Sequence, residues 1–197
     1  MYSSANYVLF VNYEDFFKAI SDTIDKNTDT SLTFFSGYDC DSLAFEKITG
    51  FAEKALEFFT NFSSVELELR TKSIVSETLL KRSPISNCIV AYSLSPSNLA
   101  GVLDNKAPSI ERRVNALKTL AKNGWTVGLR FDPLIYCSGW ENLYSELIQD
   151  IFTDINIDKV HSVSHGPLRF PKEMYKKITS LYPCLLYTSD AADDSQC

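Results

Sequence analysis

The sequence is poor in features that would declare its class at once. It has two histidines, two tryptophans and two methionines, with seven glycines and seven prolines in 197 residues. So few breakers exclude a collagen-like or low-complexity chain, and 45% hydrophobic with 22% charged residues suits one globular core. No apolar run approaches the roughly 18 residues of a membrane span. Residues 1–10 also lack the basic flank and long apolar stretch of a secretory signal. A cytoplasmic location without membrane contact is therefore the expectation. Basic excess is missing as well: a net charge of −6 gives no general footprint for nucleic acid, so any such contact needs a local patch. Neither GxGxxG nor GxxxxGK followed by Ser or Thr occurs, which argues against dinucleotide and nucleotide-triphosphate sites. The five cysteines, Cys40, Cys88, Cys137, Cys184 and Cys197, have neither metal-finger spacing nor the density of a disulfide framework.

The tail does not belong with what precedes it. Residues 184–197, CLLYTSDAADDSQC, resemble through Asp193 the translation of a transposase-type sequencing adapter. They are expected to be read-through rather than native sequence, leaving residues 1–183 as one domain. Setting aside Asp190, Asp193 and Asp194 halves the net charge, and Cys184 and Cys197 then carry no meaning.

What is present is alternation. Residues 14–25 carry a helical stripe of Phe16, Phe17, Ile20 and Ile24, and residues 31–38, SLTFFSGY, form a short run suited to a buried strand. Helical spacing returns over 45–59, with Phe45, Ile48, Ala52, Ala55, Leu56 and Phe59 on one side, and residues 65–72 alternate like a strand. A short helix over 76–82, stopped before Pro84, leads to a strand over 87–95. Pro108, Ser109 and Glu111 open a helix striped by Ile110, Val114, Leu117 and Leu120, with Gly124 just past its end. A strand over 125–134, a helix over 139–151, a strand over 159–164 and a helix over 171–181 complete the series. Strands that feed covering helices pair in parallel through right-handed crossovers, so the predicted class is α/β, a partial (β/α) barrel of parallel strands.

Polar residues gather where the strands stop. Ser36, Gly37, Tyr38, Asp39, Cys40 and Asp41 follow the first, and Arg70, Thr71, Lys72 and Ser73 the second. Ser93 and Ser95 follow the third, Arg130 and Asp132 the fourth, His165 and Gly166 the fifth. In a parallel barrel these ends open on one face, where ligands bind. Lys72 there needs a partner, since an unpaired ammonium in low dielectric is costly, and a carboxylate-bearing ligand would supply one. Strand ends are also wet in any fold, and solvation alone accounts for Arg70 and Lys72 equally well. His161 and His165 have no third ligand nearby, so zinc is not expected, and Cys88 and Cys137 read as small core or loop residues.

The series SGYDCDSLAFE, LELRTKS, VAYSLSP, APSIERRVNALKTLAKNGWTVGLRFDPLIYCSGWENLY and VSHGPLRFPKEMYKKI resembles the spore photoproduct lyase family of radical S-adenosylmethionine proteins. The likeness covers residues 7–183 in order. It implies a radical SAM-like partial barrel, truncated here at both ends, and reductive cleavage of S-adenosylmethionine by a four-iron four-sulfur cluster, with repair of a thymine photoproduct in DNA. By position it places Lys72 on the lysine facing the cofactor's carboxylate and Ser93 on a serine contacting the same ligand. Ser36, Gly37 and Asp132 fall in strand-end loops beside the cofactor. Arg113, the arginine of PSxxxR, is either a ligand contact or an anchor between helix and strand.

Two departures bear on activity. The family's hydrogen-donating cysteine falls on Tyr38, with Cys40 two residues on; if the segment stays extended the two share a face and Cys40 can substitute. The Cx3Cx2C loop that holds the cluster does not occur in this chain. The expectation is thus a fragment, inactive as given, of a longer enzyme whose partners are S-adenosylmethionine and DNA. Two other readings stay open: a Schiff-base barrel in which Lys72, discharged by Arg70, attacks a carbonyl, and a non-catalytic binding fragment.

Overall fold

The computed structural model describes residues 9–37, 40–104, 106–167 and 172–181. Tyr38 and residues 184–197, expected to be foreign sequence, lie outside the described residues. In chain order the elements are α1 (Tyr13–Lys26), β1 (Leu32–Ser36), α2 (Glu46–Thr49), α3 (Phe51–Phe59), β2 (Val65–Thr71), α4 (Glu77–Leu80) and β3 (Cys88–Ser93). There follow α5 (Ser97–Leu103), α6 (Ile110–Lys122), β4 (Thr126–Leu134), α7 (Trp140–Thr153), β5 (Val160–Pro167) and α8 (Lys172–Leu181). Every strand pairing is parallel, and the order across the sheet is β1-β2-β3-β4-β5. A parallel neighbour can be reached only by a crossover, and each crossover here carries helix, so the strands curve into half a barrel with helices outside.

Two-residue periodicity divides the sheet into an apolar and a polar face. On β2, Val65, Leu67 and Leu69 join one buried cluster with Ala52, Ala55, Leu56 and Phe59 of α3 and Val114, Leu117 and Leu120 of α6. Val90 and Tyr92 of β3 and Val127 and Leu129 of β4 complete that layer. The intervening residues, Glu66, Glu68, Arg70, Ile89, Ala91, Gly128 and Arg130, point to the concave side. Trp125 is wholly buried and its indole Nε1 donates to the Leu79 carbonyl at 3.2 Å, which ties the segment before β3 to the start of β4. Burial pushes the Cys88 thiol up to about 12, so this cysteine is an unreactive core residue. Cys137 is half-buried in the loop after β4. Among the described residues no helix is long and apolar enough to cross a membrane.

Where the structure departs from the expected elements, local chemistry explains it. The single helix predicted over 45–59 is two, because Gly50 adopts a left-handed φ of +56° and turns the chain. Glu46 then reaches across the break and accepts from the N–H groups of Ala52 at 2.8 Å and Glu53 at 3.1 Å. A carboxylate at the first turn of α3 satisfies donors that would otherwise be orphaned. The same break puts Phe45 and Ile48 at the surface, 57% and 79% exposed, rather than on the buried stripe. Phe16 of α1 is likewise 44% exposed. Helix α5 was not expected: SNLAGVL has no charge pattern and a central glycine.

Candidate functional site

The chain leaves β1 through Gly37, whose φ of +84° is open to glycine and costly for other residues. A Cβ here would stand 2.6 Å from both the Arg70 carbonyl oxygen and Ser42 Oγ. The loop therefore folds back onto the end of β2: Ser42 N–H donates to the Arg70 carbonyl at 3.0 Å and Ser42 Oγ to Ser36 Oγ at 3.1 Å. Asp41 fixes the closure. Its Oδ1 accepts from the N–H groups of Leu43 and Ala44 and from Thr71 Oγ1, and its Oδ2 from the Lys72 N–H at 2.7 Å. Four donors on one carboxylate hold the backbone of Lys72 in place at the strand's C-terminal end.

The side chain of Lys72 is held by a different acid. Its Nζ donates to Asp104 Oδ1 at 2.5 Å, at the C-terminal cap of α5. Arg113 Nη1 donates to the other oxygen of Asp104 at 2.7 Å and to the Ser93 carbonyl at 3.2 Å, while its Nε donates to the Pro108 carbonyl at 2.8 Å. Arg113 is 1% exposed, Asp104 13% and Lys72 43% by side chain. Burial pushes the Asp104 carboxyl up, but the hydrogen bonds and charges of Lys72 and Arg113 more than offset this and hold it below its ordinary value.

A second charged group fills the concave face. Glu68 is 3% exposed and Arg130 5% by side chain, with Arg130 Nη2 2.5 Å from Glu68 Oε2 and Nε 3.1 Å from Oε1. Arg70 adds Nε and Nη2 to the same Oε1 at 3.1 and 3.0 Å. Arg130 also donates to the Ser162 carbonyl and hydroxyl, which crosses from β4 to β5. Gly128 makes room for this: a Cβ there would lie 2.9 Å from Arg130 Nη2 and 3.1 Å from the Ala91 Cβ. Nearby, His161 Nε2 lies 3.2 Å from Glu66 Oε1, and Thr33 Oγ1 donates to Glu66 Oε2. A cavity of about 450 Å³ opens over these groups, with Phe35, Arg70, Asp132 and Ser164 also on its walls.

These acids predict a pH dependence. Burial pushes Glu68 up, and Arg130 followed by Arg70 overcome this and hold its carboxyl below the usual range, as Lys72 and Arg113 do for Asp104. A depressed folded-state value contributes stability that is complete above the unfolded-state value and is lost as pH falls through the folded one. The urea unfolding midpoint should stay level from neutrality down to the ordinary carboxylate range and fall below it. A midpoint that begins to fall well above that range would contradict the assignment.

The structure brings together three expected residues, Lys72, Ser93 and Arg113, through an acid the sequence did not single out, Asp104. Arg113 serves as an anchor to the end of β3. Ser36 closes β1 and Gly37 makes the turn onto β2, while exposed Asp132, expected in a loop past the strand, lies within β4 on the wall of the concave cavity. Cys40 is exposed and follows this turn, its carbonyl returning to 3.2 Å from where a Gly37 Cβ would stand. Residues 38 and 39, which join Gly37 to Cys40, lie outside the described residues. Arg130, read as a strand-end group, lies within β4 and turns inward. Arg70 bonds Glu68 and the Lys72 side chain bonds Asp104, and neither contact draws Arg70 toward Lys72 as the Schiff-base reading requires. Among the described residues no group of His, Cys, Asp and Glu side chains is placed to hold a metal ion.

The spore photoproduct lyase family model matches residues 2–193. A spore photoproduct lyase of Clostridium acetobutylicum is 20% identical over 175 residues, covering 88% of this chain and 51% of that protein. One of a Geobacillus species is 23% identical over 180 residues, covering 89% and 52%. Among solved structures, a spore photoproduct lyase double mutant with bound AdoMet and dinucleoside spore photoproduct superposes with a TM-score of 0.80 at 20% identity, over 91% of this chain and 54% of that one. Another, complexed with the dinucleoside spore photoproduct, gives 0.79 at 20% identity over 92% and 54%. The chain thus spans about half the length of these relatives. On this match, and with a half-barrel whose strand ends carry the motifs in family order, the chain belongs to the spore photoproduct lyase family.

Proposed function

We propose that the chain is the barrel portion of a longer radical S-adenosylmethionine lyase acting in the cytoplasm on a photoproduct in DNA, and that its strand-end rim binds the amino-acid end of the cofactor at Lys72. The observation that carries this is the placement of the Lys72 ammonium. It stands just past β2, half-exposed, and its group of two cations and one acid carries surplus positive charge. A carboxylate offered by a ligand meets a charge-assisted donor there. When bound beside a reduced four-iron four-sulfur cluster, S-adenosylmethionine supplies the hydrogen-abstracting chemistry of the family. The described residues offer no ligand set for that cluster, and in this proposal its cysteines belong to the half of the enzyme that the chain does not span. Ser93 at the end of β3 and Asp132 over the cavity line the path of the adenosyl group, and Cys40, an exposed residue just past the Gly37 turn, is the hydrogen donor. The two solved structures named above hold the dinucleoside spore photoproduct, which supports DNA as the partner.

Isothermal titration with S-adenosylmethionine tests the proposal. The chain should bind it, and Lys72→Met should weaken binding about tenfold or more, as expected for loss of a charge-assisted hydrogen bond. A wild-type chain that takes up no heat would overturn the reading. Extending the gene upstream should also reveal a Cx3Cx2C loop.

A further inference from the structure

We infer that Asp104 is a positioning residue for the cofactor's carboxylate: through its bond to Lys72 it aims the ammonium, and Arg113 holds Asp104 in place from beneath. The inference rests on the proposed function and adds to it a residue from outside the strand-end motifs.

An exposed lysine has four rotatable side-chain bonds and would lose much conformational freedom on gripping a ligand. Here the freedom is already restricted. One proton of the ammonium is engaged by Asp104 Oδ1, and two remain to donate. The acid itself cannot swing away. Its second oxygen is bound by Arg113, whose guanidinium is buried and also fixed to the carbonyls of Ser93 and Pro108. Asp104 N–H is bonded to the Ala100 carbonyl at 2.8 Å and its own carbonyl accepts from Ala107 N–H at 3.1 Å. The carboxylate is thus held at both ends of the residue.

Two roles compete for such an acid, because a carboxylate on Lys72 either positions it or occupies the place of the ligand. Charge decides between them. Arg113 is buried and Asp104 nearly so, so the unneutralised positive charge of the trio emerges at Lys72, the exposed member. The acid paired with the Lys72 ammonium is Asp104, whereas the oxygens of Asp41 accept from Thr71 and from backbone N–H groups. An incoming carboxylate therefore adds to the trio rather than displacing Asp104, and pre-organisation lowers the entropic cost of capture.

The test compares S-adenosylmethionine with 5′-methylthioadenosine, which keeps the adenosyl group and lacks the carboxylate, by titration calorimetry on the full chain. Asp104→Asn keeps the shape and an oxygen for Arg113. It should weaken S-adenosylmethionine by roughly fivefold to tenfold and leave methylthioadenosine unchanged. Asp104→Glu should recover part of the loss, and Asp104→Asn combined with Lys72→Met should bind no more weakly than Lys72→Met alone. Unchanged methylthioadenosine binding also reports that the variant is folded. If Lys72→Met weakens S-adenosylmethionine while Asp104→Asn binds it as well as or better than wild type, this inference falls and the proposed function stands. If the wild type binds no S-adenosylmethionine, or Lys72→Met changes nothing, the proposed function falls and takes the inference with it.

Discussion

Glu68→Leu should destabilise the protein by about 3–5 kcal/mol, the range for breaking a buried ion pair from one side. Removing the carboxylate strands two guanidinium groups. Arg70 is 23% exposed and can turn to water, but Arg130 is 5% exposed and packed over Gly128, so its charge has no hydrated alternative. Urea denaturation followed by circular dichroism reads the loss as a lower midpoint. The companion experiment separates the value of the pair from the penalty of leaving one partner. Glu68→Leu with Arg130→Met removes both buried charges and fills the space with apolar atoms, and it should be less destabilised than Glu68→Leu alone. A single variant within about 1 kcal/mol of wild type would show that water reaches Arg130 and that the concave interior is wet.

The second large effect is expected at Gly37→Ala, a loss of about 3 kcal/mol. The left-handed backbone alone costs a residue with a Cβ roughly 1–2 kcal/mol. Contact with the Arg70 oxygen adds to this, since that carbonyl belongs to β2 and accepts from Ser42 N–H. Ser42 Oγ can rotate aside, whereas the strand carbonyl cannot. Relief must come from the loop, which would carry Asp41 off the Lys72 N–H. Binding of S-adenosylmethionine should therefore fall together with stability, and unfolding and titration measured on one sample check both. Loss of stability with binding intact would separate the turn from the rim.

The parts of the fold that were legible are those where period and punctuation agree. β2 alternates over its whole length, and α6 has Ser109 before it and Gly124 at φ +92° after it. What was illegible depends on closure. Lys72 and Asp104 meet because α5 ends at Asp104, and α5 itself carries no amphipathic signal. Glu68 and Arg130 stand on strands separated by β3, and no local pattern says that Arg130 lies down over a glycine to reach two layers below its own. From sequence Gly37 stands only as a strand-end residue that the family resemblance places beside the cofactor. Its conformation and its distance from Arg70 explain it as the turn that brings Asp41 to Lys72. Ser93 lies at the end of β3, yet the group of Ser93 that bonds Arg113 is its carbonyl, which no side-chain motif reports.

The charged concave ladder also has a consequence for how the chain finds its own pairing. Sliding β2 by one residue against β3 would exchange its faces, driving Glu66, Glu68 and Arg70 into the layer now held by Val65, Leu67 and Leu69. Glu68 would then lie among the aliphatic side chains of α3 and α6 with Arg130 on the opposite side of the sheet. An apolar interior would forgive such a slip, whereas this one penalises it by stranding ions in oil, so the Glu68–Arg130 contact acts as a proofreader of strand alignment while the half-barrel assembles.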